Sequence, residues 1–590
     1  MSASRADRRV VRLLAAGLLT FAALPASAQA PVRLVPSDPA APVLHPPAEL
    51  QPERRVELPH GRAVGGVEVH ALEAMSPESV GTLEARQGAF SQDMWAGTSA
   101  NVVRRLLPLL PGASGIQAVR DLERRLLLTA AAAPQGADAA RANGASLVEL
   151  RAERLMAMGD VEGVAALAKA APSAAISPNL ARLKLEALFA TGNLDAACAE
   201  TAAGLAQGAD GMLAKAQAFC HLAAGRTSEG NLAVDLLRER KDPDNAFIAA
   251  AEVLSGLPPA AHAKLSLPKP EPLHVAVFRA AKLPLPADAA ANASPAVLRA
   301  IALSPAETLD SRLAAGERAE ALGGLDAAEL RKLYSEALFT PEDMSGALAK
   351  AEAGGPRARA LLYRLAADMK DPGVQAQIVA RALDLATVRG DFAAAVRVFA
   401  PLLSEIRPGP ENTAIAATLA KALYAAGRPE AAAKWQDVAL SGPDTHAGDR
   451  LWPYAAVYSA GGQHPLSTTG YAAWRATQDG VPAEKARRRA AVLLSVLSGL
   501  GGRVPDAAWL DALDLPAAGP KPALFALMQG GALEARTGIT VLATLAALGD
   551  APADKVDVVT LSEAISALAV VGLTADARKL AIEALLANGV

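Results

Sequence analysis

The chain has 590 residues, of which 52% are hydrophobic and only 4% aromatic, a balance that excludes wholesale disorder. Alanine and leucine dominate, which favours helices and close helix packing over sheets. With 58 basic against 61 acidic residues the net charge is -3, so no electrostatic field draws in nucleic acid or anionic lipid, and nucleic-acid binding is unsupported.

Arg5, Arg8, Arg9 and Arg12 precede an apolar run over 13–24, followed by Pro25-Ala26-Ser27-Ala28-Gln29. This order of basic, apolar and Ala-x-Ala segments is that of a cleavable secretory signal over 1–28, with the mature chain starting at Gln29. The run is shorter than the roughly 20 residues of a membrane-spanning helix. Arg8-Arg9 loosely resembles a twin-arginine pair, but Val10-Val11-Arg12 is a poor match to the residues that normally come after one. The only cysteines, Cys198 and Cys220, lie far from the cleavage point, so no lipid attachment is expected. The least charged later stretches, 490–502 and 537–549, suit buried helices. The expectation is a soluble periplasmic or extracellular protein with no integral membrane segment after signal cleavage.

Prolines crowd 29–85 in "VPSDPAAPVLHPPAELQPERRVELP", which reads as an extended, polyproline-like lead-in. In "DMWAGTSANVVRRLLPLLPG" Ser99 has the position of a helix N-cap, and Trp95 is expected to pack against the first helices. A helical region over 86–256 comes next, and it repeats. "RLMAMGDVEGVAALAKA", "ALFATGNLDAACAE" and "FCHLAAGRTSEGNLAVDLL" align on Gly159, Gly192 and Gly225, which are 33 residues apart. Each glycine can take the left-handed conformation that closes one helix, and the polar residues after it start the next. Leu194, Cys198, Ala202 and Leu205 are expected to form one apolar stripe, which a single hairpin cannot bury and which therefore calls for stacked neighbours.

Similar phrases return at Gly390, Gly427 and Gly572, the first two 37 residues apart. These phrases resemble the tetratricopeptide-like superfamily, whose repeat is a helix-turn-helix with small residues before a glycine turn. The resemblance covers about 150–240 and reappears over 376–436 and 558–588. It implies an all-α solenoid of stacked antiparallel helix pairs and a general binding role. The repeat's tryptophan and tyrosine positions are mostly Ala or Leu here, so groove residues of known members do not carry over. The whole layout is also similar to exported, Ala-rich proteins of alphaproteobacterial type that are sometimes given an antifreeze-glycopeptide label. That label implies tandem Thr-Ala-Ala units, which this chain lacks.

Cys198 and Cys220 stand 11 residues either side of position 209, in the turn "QGADG". An antiparallel helix pair would bring their sulfurs to one height. In an oxidising compartment this favours a disulfide, contributing roughly 3 kcal/mol through loop closure; the alternative is a pair of buried free thiols. His221 beside Cys220 does not make a zinc site, which in structural form needs four ligands.

Prolines punctuate 257–305, a joint between the first repeats and the helical repeats of 306–440. Loops at "SGPDTHAGDRLWP" and "GLGGRVPD" set off a C-terminal helical subdomain over 441–590. Lys485, Arg487, Arg488 and Arg489 form the densest basic cluster and read as the solvated start of a helix.

No HExxH, GxSxG or GxxxxGK[ST] occurs, and the eight histidines, at 45, 60, 70, 221, 262, 274, 446 and 464, do not fall at ligand spacing. No catalytic, cofactor-binding or metal-binding residue is therefore assigned, and no cofactor is expected. Leu527-Met528-Gln529 is similar to part of a motif of peptidoglycan lytic transglycosylases, but the Glu-Ser pair expected upstream is absent. The expectation is an exported scaffold that binds protein or peptide partners in the cell envelope, rather than an enzyme. The alternative is a cell-wall enzyme or glycan-binding protein built on a helical superhelix.

Overall fold

The helices of this protein are set by local caps. In a computed structural model the described residues are 76–590, except 142, 143, 209, 242, 259–264, 353, 462–465 and 517. The segment over 1–28 read as a secretory signal, most of the lead-in and the histidines at 45, 60, 70, 262 and 464 lie outside them. The 28 α-helices among the described residues are joined by turns and short 3-10 segments, and no strand longer than an isolated bridge occurs there. The protein is all-α, and no helix among the described residues is long and apolar enough to cross a membrane.

Leu147–Met158 ends at Gly159, and Pro178–Thr191 ends at Gly192; each glycine N–H bonds back into the last helical turn. Asp160 and Asn193 then accept from the backbone N–H groups of Gly163 and Ala196, starting Val161–Ala170 and Leu194–Leu205. Gly159, Gly192, Gly225, Gly390, Gly427 and Gly572 all have positive φ, between 72° and 85°.

Two large apolar cores form among the described residues, beside a small contact of Ala100 with Ala137. The main one runs from Phe90 to Val590. The second collects Phe189, Phe219, Val234, Phe247 and Phe278, among others, into a lobe built by Leu194–Leu205, Gly211–Ala223, Thr227–Arg238 and Asn245–Leu254. Pro178–Thr191 and Pro272–Ala280 carry this lobe. One face of each enters the main core, through Leu183 and Val275, and the other enters the second, through Phe189 and Phe278.

The stripe expected on Leu194–Leu205 is rotated. Ala197 and Thr201 are buried, Leu194, Cys198 and Leu205 are half-buried and Ala202 is exposed. The helix turns Ala197 and Thr201 inward and leaves its leucines at the edge of the lobe.

In an open stack each repeat touches only its neighbours. Here the two ends of the 72–590 unit meet: Gln117–Leu128 packs against both Thr537–Leu548 and Thr574–Asn588. Ile116, at the N-cap of Gln117–Leu128, has no side chain that can cap. The Glu583 carboxylate does so instead, accepting from Gln117 N–H at 2.7 Å and Ala118 N–H at 2.9 Å. Asp550 accepts from Gly112 N–H at 2.8 Å, and Arg125 Nη1 reaches both Asp576 oxygens at 2.8 and 2.9 Å. Gly538 N–H donates to Met94 O at 3.0 Å. A Cβ on Gly538 would stand 2.7 Å from the Trp95 ring, so the tryptophan packs on a helix more than 400 residues away in sequence.

Thr574–Asn588 is the hub of this closure. Leu580, Ala581, Ile582, Ala584 and Leu585 are buried, and the helix also touches Phe392–Glu405, Ala416–Ala425, Ala447–Ser459, Ala483–Gly499 and Val558–Val570. Each buried Leu or Ile contributes about 1.5–3 kcal/mol. The basic cluster does begin a helix, Ala483–Gly499, but only Lys485 and Arg487 are exposed. Arg488 and Arg489 turn inward to Asn588, at 2.9 Å from its side-chain oxygen and 3.2 Å from its carbonyl, and hold the end of the hub helix.

The turn glycines differ in what surrounds them. A Cβ on Gly159 would lie 2.8 Å from Gly324 Cα and Pro295 Cβ, whereas one on Gly225 meets nothing within 4 Å. Gly225→Ala is expected to cost about 1–2 kcal/mol from backbone strain alone, and Gly159→Ala about 2–4 kcal/mol because crowding adds to it. Urea unfolding of both variants measures the difference; equal losses would refute the packing account of Gly159.

Candidate functional site

Two concave features stand out, one under the closure and one on the lobe. The first is a cavity of about 630 Å³ at the turn of Gly159, bounded by Gln117–Leu128, Pro295–Ala302, Leu309–Leu322 and the start of Ala327–Glu336. Its walls are ionic. Arg299 bridges Glu162 at 2.7 Å and Glu329 at 2.6 Å, Arg397 grips Glu320 through two bonds of 2.6 and 2.9 Å, and Arg124 meets Asp160 at 2.7 Å. Arg120 Nη1 donates to Ser114 O and Ala321 O, tying the closure helix to the C-terminal turn of Leu309–Leu322. Gly323 makes room for it, since a Cβ there would fall 2.5 Å from Arg120 Cδ.

These carboxylates are engaged by arginine. Glu162 is pushed above the usual carboxylate range by burial, although Arg299 lies against it and opposes the shift. A general acid would need such a shift together with a proton free to be delivered. Glu162 instead shares Arg299 with Glu329, so the cavity reads as an ionic joint between the chain's halves.

The second feature is a groove of about 700 Å³ between Pro178–Thr191, Leu194–Leu205 and Gly211–Ala223. Ala181, Leu185, Met212 and Leu213 give it an apolar floor, and Arg182, Glu200 and Asp210 a polar rim. Its walls are locked together. Cys198 and Cys220 form a disulfide across the two helices, with Cα atoms 5.6 Å apart. Thus of the residues singled out in the sequence, Gly159 borders the ionic cavity, while Cys198 and Cys220 tie two of the helices that wall the groove. Gly192 turns the chain into the lobe, Gly225 joins two of its helices, and Gly390, Gly427 and Gly572 lie in other turns.

Of the described histidines, His446 is exposed beside Asp449, and the other two are used structurally. His274 accepts from Glu271 N–H at Nδ1, 3.0 Å away, and faces Asp244 through Nε2 at 2.8 Å; His221 Nδ1 accepts from Arg226 at 3.0 Å. Met528 is fully buried in Pro522–Leu533, and Gln529 donates to Glu563, so the triplet similar to a transglycosylase motif serves helix packing.

Compared with protein-family models, curated proteins and solved structures, the chain matches none.

Residues that sequence reasoning passed over include Arg120, Arg299, Arg397 and Glu123. Glu123 sits on the closure helix at 1% exposure, with Oε1 lacking a hydrogen-bond partner. Burial raises its carboxyl from 4.5 to about 9; Arg154 opposes the shift and Asp550 adds to it.

The disulfide and Glu123 each give an expected outcome. Reduction of the protein, or Cys198→Ser, is expected to remove about 3 kcal/mol. Because the bond joins two helices that build the second core, hydrogen exchange should rise over 194–254 first, and unchanged protection there would contradict its role. For Glu123 the folded state holds the proton more tightly than the unfolded one. Stability therefore falls as pH rises from about 4.5 toward 9. Glu123→Gln should match the wild type in stability near pH 4 and be about 3 kcal/mol more stable at pH 7. A constant gap across that range would refute the assignment.

Proposed function

We propose that this protein is an exported, tetratricopeptide-like helical-repeat scaffold that binds an extended segment of a partner protein in the periplasm. The groove beside the Cys198–Cys220 bond carries the reading: it is mixed in polarity and walled by three successive helices. Helical pairs of this kind offer a surface on which an extended peptide lays alternating side chains. The disulfide supports an oxidising compartment, where such bonds persist, and agrees with the secretory signal read over 1–28. It also fixes the groove walls before any partner arrives, which lowers the ordering cost of binding.

The competing reading, a cell-wall enzyme or glycan-binding protein, would place its chemistry in the ionic cavity. The pairing of Glu162, Glu320, Glu329 and Asp160 with arginines weighs against it, because none is poised to deliver or accept a proton.

Ala203 is exposed on the groove wall, and Ala203→Arg would obstruct the groove without touching either core. Brief crosslinking in a periplasmic extract, followed by affinity capture and quantitative mass spectrometry, should recover a recurrent protein with the wild type and several-fold less with the variant. Recovery of glycan fragments alone, or of the same proteins in equal amounts with both, would overturn the proposal.

A further inference from the structure

A smaller cavity, of about 210 Å³, lies where the lobe meets the two helices that carry it. Phe189 and Phe219, each 1% exposed and with ring centroids 6.0 Å apart, form its inner wall with Leu188 and Ala276. Gly192 and Arg279 stand at its rim, where the surface opens to solvent. Gly192 has φ +77°, and a Cβ there would fall 2.7 Å from an Arg279 guanidinium nitrogen, so the absence of a side chain is what lets the guanidinium lie over this turn.

Arg279 is half-buried and its side chain, unlike those of Arg238, Arg299 or Arg397, has no hydrogen bond, ion pair or ring contact among the described residues. Burial alone acts on it, and lowers its pKa with no carboxylate to offset the loss. A cation taken partly out of water without a partner is costly, and the cost is recovered when an anion binds. A guanidinium presents paired donors that match a carboxylate. A single unpaired positive charge calls for a single negative one, and the wall beneath it is entirely apolar.

We propose that this cavity binds a small amphipathic carboxylate, its head on the Arg279 guanidinium and its hydrocarbon chain against Phe189, Phe219, Leu188 and Ala276. The volume equals that of about seven water molecules, room for a chain or ring of about six to eight carbons. The site is separate from the groove assigned to a protein partner, and stands whether or not that assignment holds.

Hexanoate and 1-hexanol, titrated into the full-length disulfide-bonded protein and followed by saturation-transfer NMR, test this directly. Hexanoate should bind with a Kd of about 1 mM or tighter. Arg279→Gln should weaken hexanoate tenfold or more and leave hexanol within about twofold. Since the Arg279 guanidinium makes no hydrogen bond, the variant should keep the far-UV spectrum and melting temperature of the wild type. Ala276→Leu, which fills the cavity, should weaken both ligands alike. No hexanoate binding to the wild type, or equal binding to Arg279→Gln, would overturn the proposal. So would binding only of a peptide acid such as Ala-Ala-Leu without hexanoate, which would assign the cavity to a chain terminus.

Discussion

The arrangement of the helices rests on one capping interaction. Gln117–Leu128 begins after Ile116, which supplies no oxygen, and its first N–H groups would be left without partners. Glu583 satisfies them from the opposite end of the chain, 466 residues from Gln117. To deliver that carboxylate, Thr574–Asn588 must lie against the first helices. Its apolar faces are then buried by Ala447–Ser459, Ala483–Gly499 and Val558–Val570. Arg125 with Asp576, and Asp550 with Gly112, repeat the theme of acidic groups from the C-terminal part meeting donors of the N-terminal part. The ionic cavity under Gly159 extends it, since Arg120 reaches from the same closure helix to the end of Leu309–Leu322.

This closure divides the molecule into parts under different constraint. The helices of the main core are held from both ends. The lobe over 194–254 is held mainly through Pro178–Thr191 and Pro272–Ala280, with Leu267 and Ala289 also packed into its core, and it is where the disulfide sits. A cross-link stabilises most where packing alone leaves the unfolded alternatives open, and a lobe with its own small core is such a place. Both the groove proposed for a partner and the cavity beneath Arg279 border this lobe, so the part least constrained by closure is the part assigned to binding.

The features legible in the sequence are local ones. Gly159, Gly192 and Gly225 sit at a fixed spacing, and each turn involves residues within about four positions of one another. The disulfide was legible because a single turn separates its cysteines. The closure was not, because Glu583 and Asp576 look like any other surface acids of an amphipathic helix, and their partners lie hundreds of residues away. One faint signal existed: Ile116 is a poor N-cap, and an uncapped helix start implies an acceptor from elsewhere. The rotated stripe of Leu194–Leu205 escaped for a related reason, since periodicity gives the spacing of apolar residues but not which neighbour they face. The unpaired state of Arg279 depends on three helices packing together, and no spacing in the chain encodes it.

The most direct test of the closure uses side chains already in place. Lys579 Nζ lies 3.7 Å from an Asp121 carboxylate oxygen, and both side chains are reachable by solvent. A zero-length carbodiimide coupling of the untreated protein, with peptide mass spectrometry of the monomer, should yield the Asp121–Lys579 amide alongside the local Asp343–Lys350 product. Recovery of the Asp343–Lys350 link without the Asp121–Lys579 link would mean that the two ends do not meet and that the helices form an open stack.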